Sequence, residues 1–371
     1  MPSIHFLLKT VKNEIFWLCF FIVLGLTLGI QPALGQDLTP AYTVGFRAVD
    51  LDYPESKRET KLTVAVWYPS TDKPEQFIYG GPTAGMVVVN GEPVKNPEQF
   101  PLLIFSHGYG GFGFSAVFLT EHLAAQGWVV VAPDHHDPHF TGRIRTGRNK
   151  KFDRSGFLQH AKQIGSSSPA DRKKYVYRLN EIQCALNRIL KHPVFGPLID
   201  KDKIVLGGHS FGGYTVLGLC GTIPQRHEPR IKAVLLFSTG AGGYLYTAEE
   251  LSKVRIPTML FMGERERNKK RGDKTMLEIQ KKIFLNISAP KYFLEVKRAS
   301  HFSFNNQLFS TIGSWILSGN KKTFTVIRRY SIAFLEKYGA GKSHLDQVLD
   351  KKDPMLQFLI EAEPLIKDIG K

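Results

Sequence analysis

Residues 204–216 read IVLGGHSFGGYTV, a β-branched run, one serine set among glycines, and a second apolar stretch. The first run has the make-up of a buried strand and the second that of a helix. Between them Gly208-His209-Ser210-Phe211-Gly212 fits G-x-S-x-G, a pattern that carries meaning only between a strand and a helix. Both conditions are met. A turn that tight leaves no room for larger neighbours, which would collide with the adjoining strand and helix. Ser210 Oγ then projects above the sheet at the N-terminal end of a helix, where free N–H groups and the dipole favour developing negative charge. Ser210 is the expected nucleophile.

Working outward, PLLIFSHG (101–108) and GWVVVAPD (127–134) are short continuous apolar runs, as fully buried parallel strands are. FLTEHLAAQG (118–127) between them reads as a helix closed by a glycine. Upstream, VGFRAVDL and KLTVAVWYP read as two strands. From Asp171 a helix is expected through Tyr175, Leu179, Ile182, Leu186 and Ile189, which share one face. After the serine come a helix through Cys220, strands IKAVLLFS and IPTMLFMG, a helix near 274–285, strand KYFLEVK, a helix after His301 and another at about 323–338. Strands alternating with helices predict an α/β fold, a mostly parallel central sheet with helices on both faces. The stretch 141–170 is basic, rich in glycine and serine, and aperiodic; it reads as an insertion, either a surface loop or a rim over the site.

A serine hydroxyl needs a base, which in this chain order should come late. Of 12 histidines, His301 in Ala299-Ser300-His301-Phe302 follows the last central strand and so lies at the same sheet edge as Ser210. It is the expected general base. The orienting acid is expected just after IPTMLFMG, where Gly263-Glu264-Arg265-Glu266 offers Glu266, with Glu264 and Asp273 as rivals. For the oxyanion, the backbone N–H of Phe211 is one donor. The glycine-rich turn Ser106-His107-Gly108-Tyr109-Gly110-Gly111 offers a second, that of Tyr109. Asp134-His135-His136-Asp137-Pro138-His139 looks like a metal cluster, but residues packed so closely in sequence do not converge on one ion, and no metal or other cofactor is expected.

The 371 residues, 43% of them hydrophobic, suffice for one full domain. A net charge of +16 favours anionic partners. No zinc-finger spacing, RNA-binding aromatic motif or basic helix accompanies it, so nucleic acid is not expected. Lys9 and Lys12 precede IFWLCFFIVLGLTLGI, and Ala33-Leu34-Gly35 supplies a small-x-small exit before Gln36. This reads as a signal peptide over 1–35 and an exported single domain over 36–371 with a C-terminal helical extension. The alternative is a retained N-terminal membrane anchor. Cys184 and Cys220 remain in the mature chain, as one bridge or as buried small hydrophobes.

With these residues in hand, the chain resembles the α/β-hydrolases of the plasma-type platelet-activating factor acetylhydrolase group and their bacterial dienelactone-hydrolase-like relatives. The resemblance runs from VGFRAVDLDYPESKRETKLTVAVWYPS through FSHGYGG, APDHHD and KIVLGGHSFGG to ASHFSF. It implies Ser210 as nucleophile, His301 as base, and the amides of Phe211 and Tyr109 as oxyanion donors. The acid departs from the plasma pattern, in which it follows the strand after the nucleophile helix. Here that strand ends Phe237-Ser238-Thr239, without a carboxylate. Bacterial relatives place it in a G-E-x-D-like turn, matched by Gly263-Glu264-Arg265-Glu266 with Glu for Asp. The implied activity is a serine esterase for short acyl chains, with sn-2 acetyl or oxidised phospholipids as candidate substrates. Peripheral contact with an anionic membrane surface is a further expectation. The alternatives are a general carboxylesterase or polyester hydrolase and, in another class, an inactive hydrolase fold kept for binding.

Overall fold

The computed structural model describes residues 39–54, 60–95, 98–288, 290–309, 316 and 318–362. All fall in one compact unit that begins at Thr39. The expected signal or anchor segment, 1–35, lies outside the described residues. Among those that are described, no helix is long and apolar enough to cross a membrane.

The chain enters through β1 (Thr43–Asp52) and β2 (Lys61–Ser70), paired antiparallel, followed by the hairpin β3 (Glu75–Gly80) and β4 (Thr83–Val89). Then strands and helices alternate: β5 (Phe100–Ser106), α1 (Val117–Ala125), β6 (Val129–Pro133), α2 (Arg154–Ser166), α3 (Val176–Ile189) and β7 (Ile199–His209). Helix α4 (Phe211–Leu217), directly after Ser210, leads to β8 (Ile231–Phe237), α5 (Gly240–Leu245), β9 (Thr258–Gly263), α6 (Met276–Asn286) and β10 (Lys291–Val296). Helix α7 (Lys321–Tyr338) and strand β11 (Leu356–Ala362) close the described chain.

These strands form one sheet in the order β11-β10-β9-β8-β7-β5-β6-β2-β1-β4-β3. Strands β6, β5, β7, β8, β9 and β10 run parallel, as their buried apolar runs predict. Alternate residues serve the two faces. Leu102, Ile104, Ile204, Leu206, Val234 and Leu236 join a core with Leu179, Ile182, Leu186 and Tyr214 of α3 and α4. The opposite face is covered by α1 and α7, which meet where Phe118 stacks on Phe324 at 4.1 Å. The chain leaves β5 for β6 on one side and returns to β7 on the other. Such a reversal opens a crevice at the carboxyl ends of β5 and β7.

Four details differ from the expectations. The insertion 141–170 is not aperiodic: Arg143 and Gly142 pair with Gly147 and Arg148, and residues 154–166 form α2, capped by Asp153 and burying Ile164. Helix α4 does not run through Cys220; it gives way to a wide turn over Gly218–Thr222 in which Cys220 and Gly221 leave helical geometry. Directly after His301 the described residues form a single turn, His301–Phe304, followed by non-helical chain to 309. Beyond α7 the chain adds β11 antiparallel to β10. Cys184 and Cys220 are both buried, and no disulfide joins them.

Candidate active site

Ser210 sits between β7 and α4 with φ 53° and ψ −114°, a left-handed conformation that costs a non-glycine residue about 1 kcal/mol or more. The cost is met by fixed neighbours. Its N–H donates to Phe237 O at 2.8 Å, and its carbonyl accepts from Gly213 N at 3.1 Å and Thr239 Oγ1 at 3.2 Å. The flanking glycines are sterically obligatory. A Cβ on Gly208 would lie 2.5 Å from Gly212 C and O, and one on Gly212 would lie 1.9 Å from Ser106 O on β5.

His301, at the end of β10, places Nε2 2.9 Å from Ser210 Oγ. Its side chain is 26% exposed, whereas that of Glu266 is 1% exposed, so the imidazole faces the crevice and the carboxylate lies beneath it. Glu266 Oε1 accepts from Gly263 N at 2.7 Å, which folds the side chain back over the end of β9. Glu266 Oε2 is 3.3 Å from His301 Nδ1. Ser210, His301 and Glu266 are thus brought into one line. The rival acids are not part of it. Glu264 accepts from Arg298 N at 2.7 Å, and Asp273 lines a polar cavity of about 420 Å³ with Arg271, Lys274 and Lys282.

Ser238, which carries no carboxylate and so no sequence signal for the orienting group, also reaches this line. It terminates β8 with φ 49° and is fully buried. Its hydroxyl donates to Glu266 Oε2 at 2.5 Å and lies 2.6 Å from His301 Nδ1. His209, the variable residue of the pentapeptide, is also buried, and its Nε2 donates to His301 O at 2.9 Å. Burial, with His301 nearby, pulls its pKa down to about 3, so the ring is neutral.

Phe211 opens α4, so its N–H has no partner within the helix. A Cβ on Gly108 would stand 3.3 Å from Ser210 Cβ, so the Gly108–Tyr109 peptide passes directly beside Ser210. That loop is clamped from below. Asp137 Oδ2 accepts from Gly110 N at 3.0 Å, while Asp134 takes Gly113 N at 2.9 Å and Ile144 N at 2.8 Å. Arg178, fully buried on α3, pairs with Asp137 at 3.0 and 3.1 Å and donates to His107 O at 3.0 Å. His107 Nε2 accepts from His135 N, which leaves Nδ1–H to donate to Gly108 O at 2.7 Å; burial, then Arg178, pulls its pKa down to about 3. His135 Nδ1 and His136 Nδ1 both meet Glu181, at 2.6 and 2.8 Å. Asp134, His135 and Asp137, from the stretch with the look of a metal motif, therefore hold the loop that carries Tyr109. The Tyr109 ring stacks on Phe157 of α2, and its hydroxyl bonds His160 Nδ1 at 2.7 Å.

A strand–serine–helix turn at the reversal of a mostly parallel sheet, with a histidine and a buried acid from later strands, defines the α/β-hydrolase class. Among solved structures, a ferulic acid esterase from Streptomyces cinnamoneus superposes with a TM-score of 0.63, covering 89% of this chain and 100% of that one, at 18% identity. Residues 77–196 match the family described as platelet-activating factor acetylhydrolase, isoform II. The platelet-activating factor acetylhydrolase of Cavia porcellus is 26% identical over 281 residues, 69% of this chain and 61% of its own length. That of Bos taurus is 26% identical over 285 residues, 68% and 60%. That of Canis lupus familiaris reaches 31% over 148 residues, a third of each chain. The chain spans about six-tenths or less of the length of these curated relatives. The resemblance read from GHSFGG and FSHG is to these proteins.

Proposed function

We propose that this protein is a serine ester hydrolase acting on carboxylic esters with short acyl groups. The observation that carries the reading is the 2.9 Å contact between His301 Nε2 and Ser210 Oγ, made by a serine held at positive φ at the mouth of the crevice. In this reading Ser210 Oγ attacks the ester carbonyl as His301 Nε2 takes its proton. The tetrahedral oxyanion forms beside the N–H groups of Phe211 and Tyr109, each worth about 3 kcal/mol of transition-state stabilisation. His301 returns the proton to the departing alkoxide, and water then repeats the attack to free the acid and restore Ser210. Glu266, buried and acceptor-only when ionised, orients the imidazole and balances the cation it becomes.

The name carried by the curated relatives supports an acetyl-sized acyl group, and sn-2 acetyl or oxidised phospholipids are the proposed substrates. Export rests on the sequence before Gln36, and contact with an anionic lipid surface on the net charge of +16. The direct test is reaction with a fluorophosphonate probe, which modifies an activated serine. Labelling of wild type that vanishes in Ser210→Ala supports the reading; equal labelling of both, or none, overturns it.

A further inference from the structure

The geometry points to Ser238 as a positioning residue through which the acid acts on the base, so that the site is a line of four groups rather than three. The inference rests on the hydrolase reading of Ser210 and His301. His301 Nδ1 carries one proton in the tautomer that leaves Nε2 free to accept from Ser210. Two acceptors compete for that proton, Ser238 Oγ at 2.6 Å and Glu266 Oε2 at 3.3 Å. The shorter contact falls within hydrogen-bond range and the longer lies at its edge. Ser238 in turn donates its own proton to Glu266 Oε2 at 2.5 Å, a charge-assisted bond. Each group then has one defined role: Nδ1–H donates to Ser238 Oγ, and Ser238 O–H donates to the carboxylate. No proton needs to leave Ser238. Its dipole passes the carboxylate's field to the imidazole and fixes the ring plane.

The backbone supports the assignment. At φ 49° Ser238 holds a conformation that glycine would adopt without strain. Its N–H bonds Phe261 O at 2.8 Å, which locks it to the neighbouring strand. Replacement by glycine therefore removes the hydroxyl while relieving the backbone, which separates a positioning role from a structural one. The site also explains how the carboxylate reaches its place. β8 ends where a carboxylate could meet Nδ1 directly, and here a hydroxyl stands there while the longer arm of Glu266 arrives from β9.

The test uses steady-state hydrolysis of p-nitrophenyl acetate by wild type, Ser238→Gly, Glu266→Gln and the double variant Ser238→Asp/Glu266→Gln. The expected result for Ser238→Gly is a kcat about 10- to 100-fold lower with KM within about twofold. Glu266→Gln should lose about 1,000-fold or more in kcat. The double variant, which restores a carboxylate next to Nδ1, should recover at least about tenfold over Glu266→Gln. If wild type is active and Ser238→Gly keeps its kcat, or the double variant is no better than Glu266→Gln, the inference falls alone. If wild type is no better than Ser210→Ala, it falls together with the hydrolase reading.

Discussion

The proposed acid is the residue whose choice depends most on the fold. Three carboxylates lie close together in sequence, and only Glu266 has an oxygen near His301, because its partner Gly263 N curls it back over β9. Glu264→Gln and Asp273→Asn should therefore keep kcat within about threefold of wild type, against the large loss for Glu266→Gln, all read on one soluble ester. His209 carries a different prediction. With a folded pKa of about 3 against about 6.5 when unfolded, the ring binds a proton on unfolding anywhere between those values. The contribution of His209 to stability thus falls as pH drops from about 6.5 towards 3, and the stability of His209→Gln should fall by about 1.4 kcal/mol less per pH unit than that of wild type over that window. Glu121 and Asp134, whose carboxyls burial pushes up to about 7 and about 6, act in the opposite sense, their stabilisation fading as pH rises. The wild-type-minus-variant slope isolates the histidine; equal urea-unfolding slopes for the two proteins would count against a neutral, buried His209. Ser210 and His301 were legible because local pattern and chain order locate them. Ser238 was not, since its part comes from strands β8, β9 and β10 lying side by side, which no short window displays.

At the level of elements, the loops after β5 and β6 act as one unit. The Arg178–Asp137 pair has both side chains at 0% exposure and ties α3 to the loop bearing Tyr109. Removing one partner leaves a buried charge, so Arg178→Met should cost about 3–5 kcal/mol. Arg178→Met/Asp137→Leu should cost less than the sum of its single variants. A strictly additive result in chemical denaturation would mean that the pair is not coupled. The central strands were readable because each is a short apolar run bounded by glycine, proline or polar residues. Helix α2 was hidden in 141–170 because its basic and small residues mask Phe157, Ala161 and Ile164, whose spacing is helical. β11 escaped notice because LQFLIEA carries polar and acidic residues and is only partly buried, as an edge strand allows.

At the scale of the whole molecule, a net charge of +16 accompanies exposed apolar side chains. Phe302, next to His301, is 40% exposed, and Leu158 on α2 is 55% exposed. With a net charge of +16, binding to vesicles containing phosphatidylserine should be clear at low ionic strength and fall steeply above about 0.15 M salt, where the screening length is about 8 Å. Binding that ignores both salt and anionic lipid would show that the charge has no part in it. The fold class could be read from the alternation of strands and helices alone, whereas acyl-chain preference depends on the shape of the crevice walls. Ester hydrolysis by Ser210 with a short-acyl preference is the activity proposed here. Its most direct measurement is kcat/KM for wild type and Ser210→Ala across p-nitrophenyl esters from acetate to palmitate and on 2-acetyl against long-chain phosphatidylcholine. The expected result is a steep fall with chain length, hydrolysis of the 2-acetyl lipid, and loss of all of it in the variant. Equal rates for the two proteins, or a preference for palmitate, would contradict it.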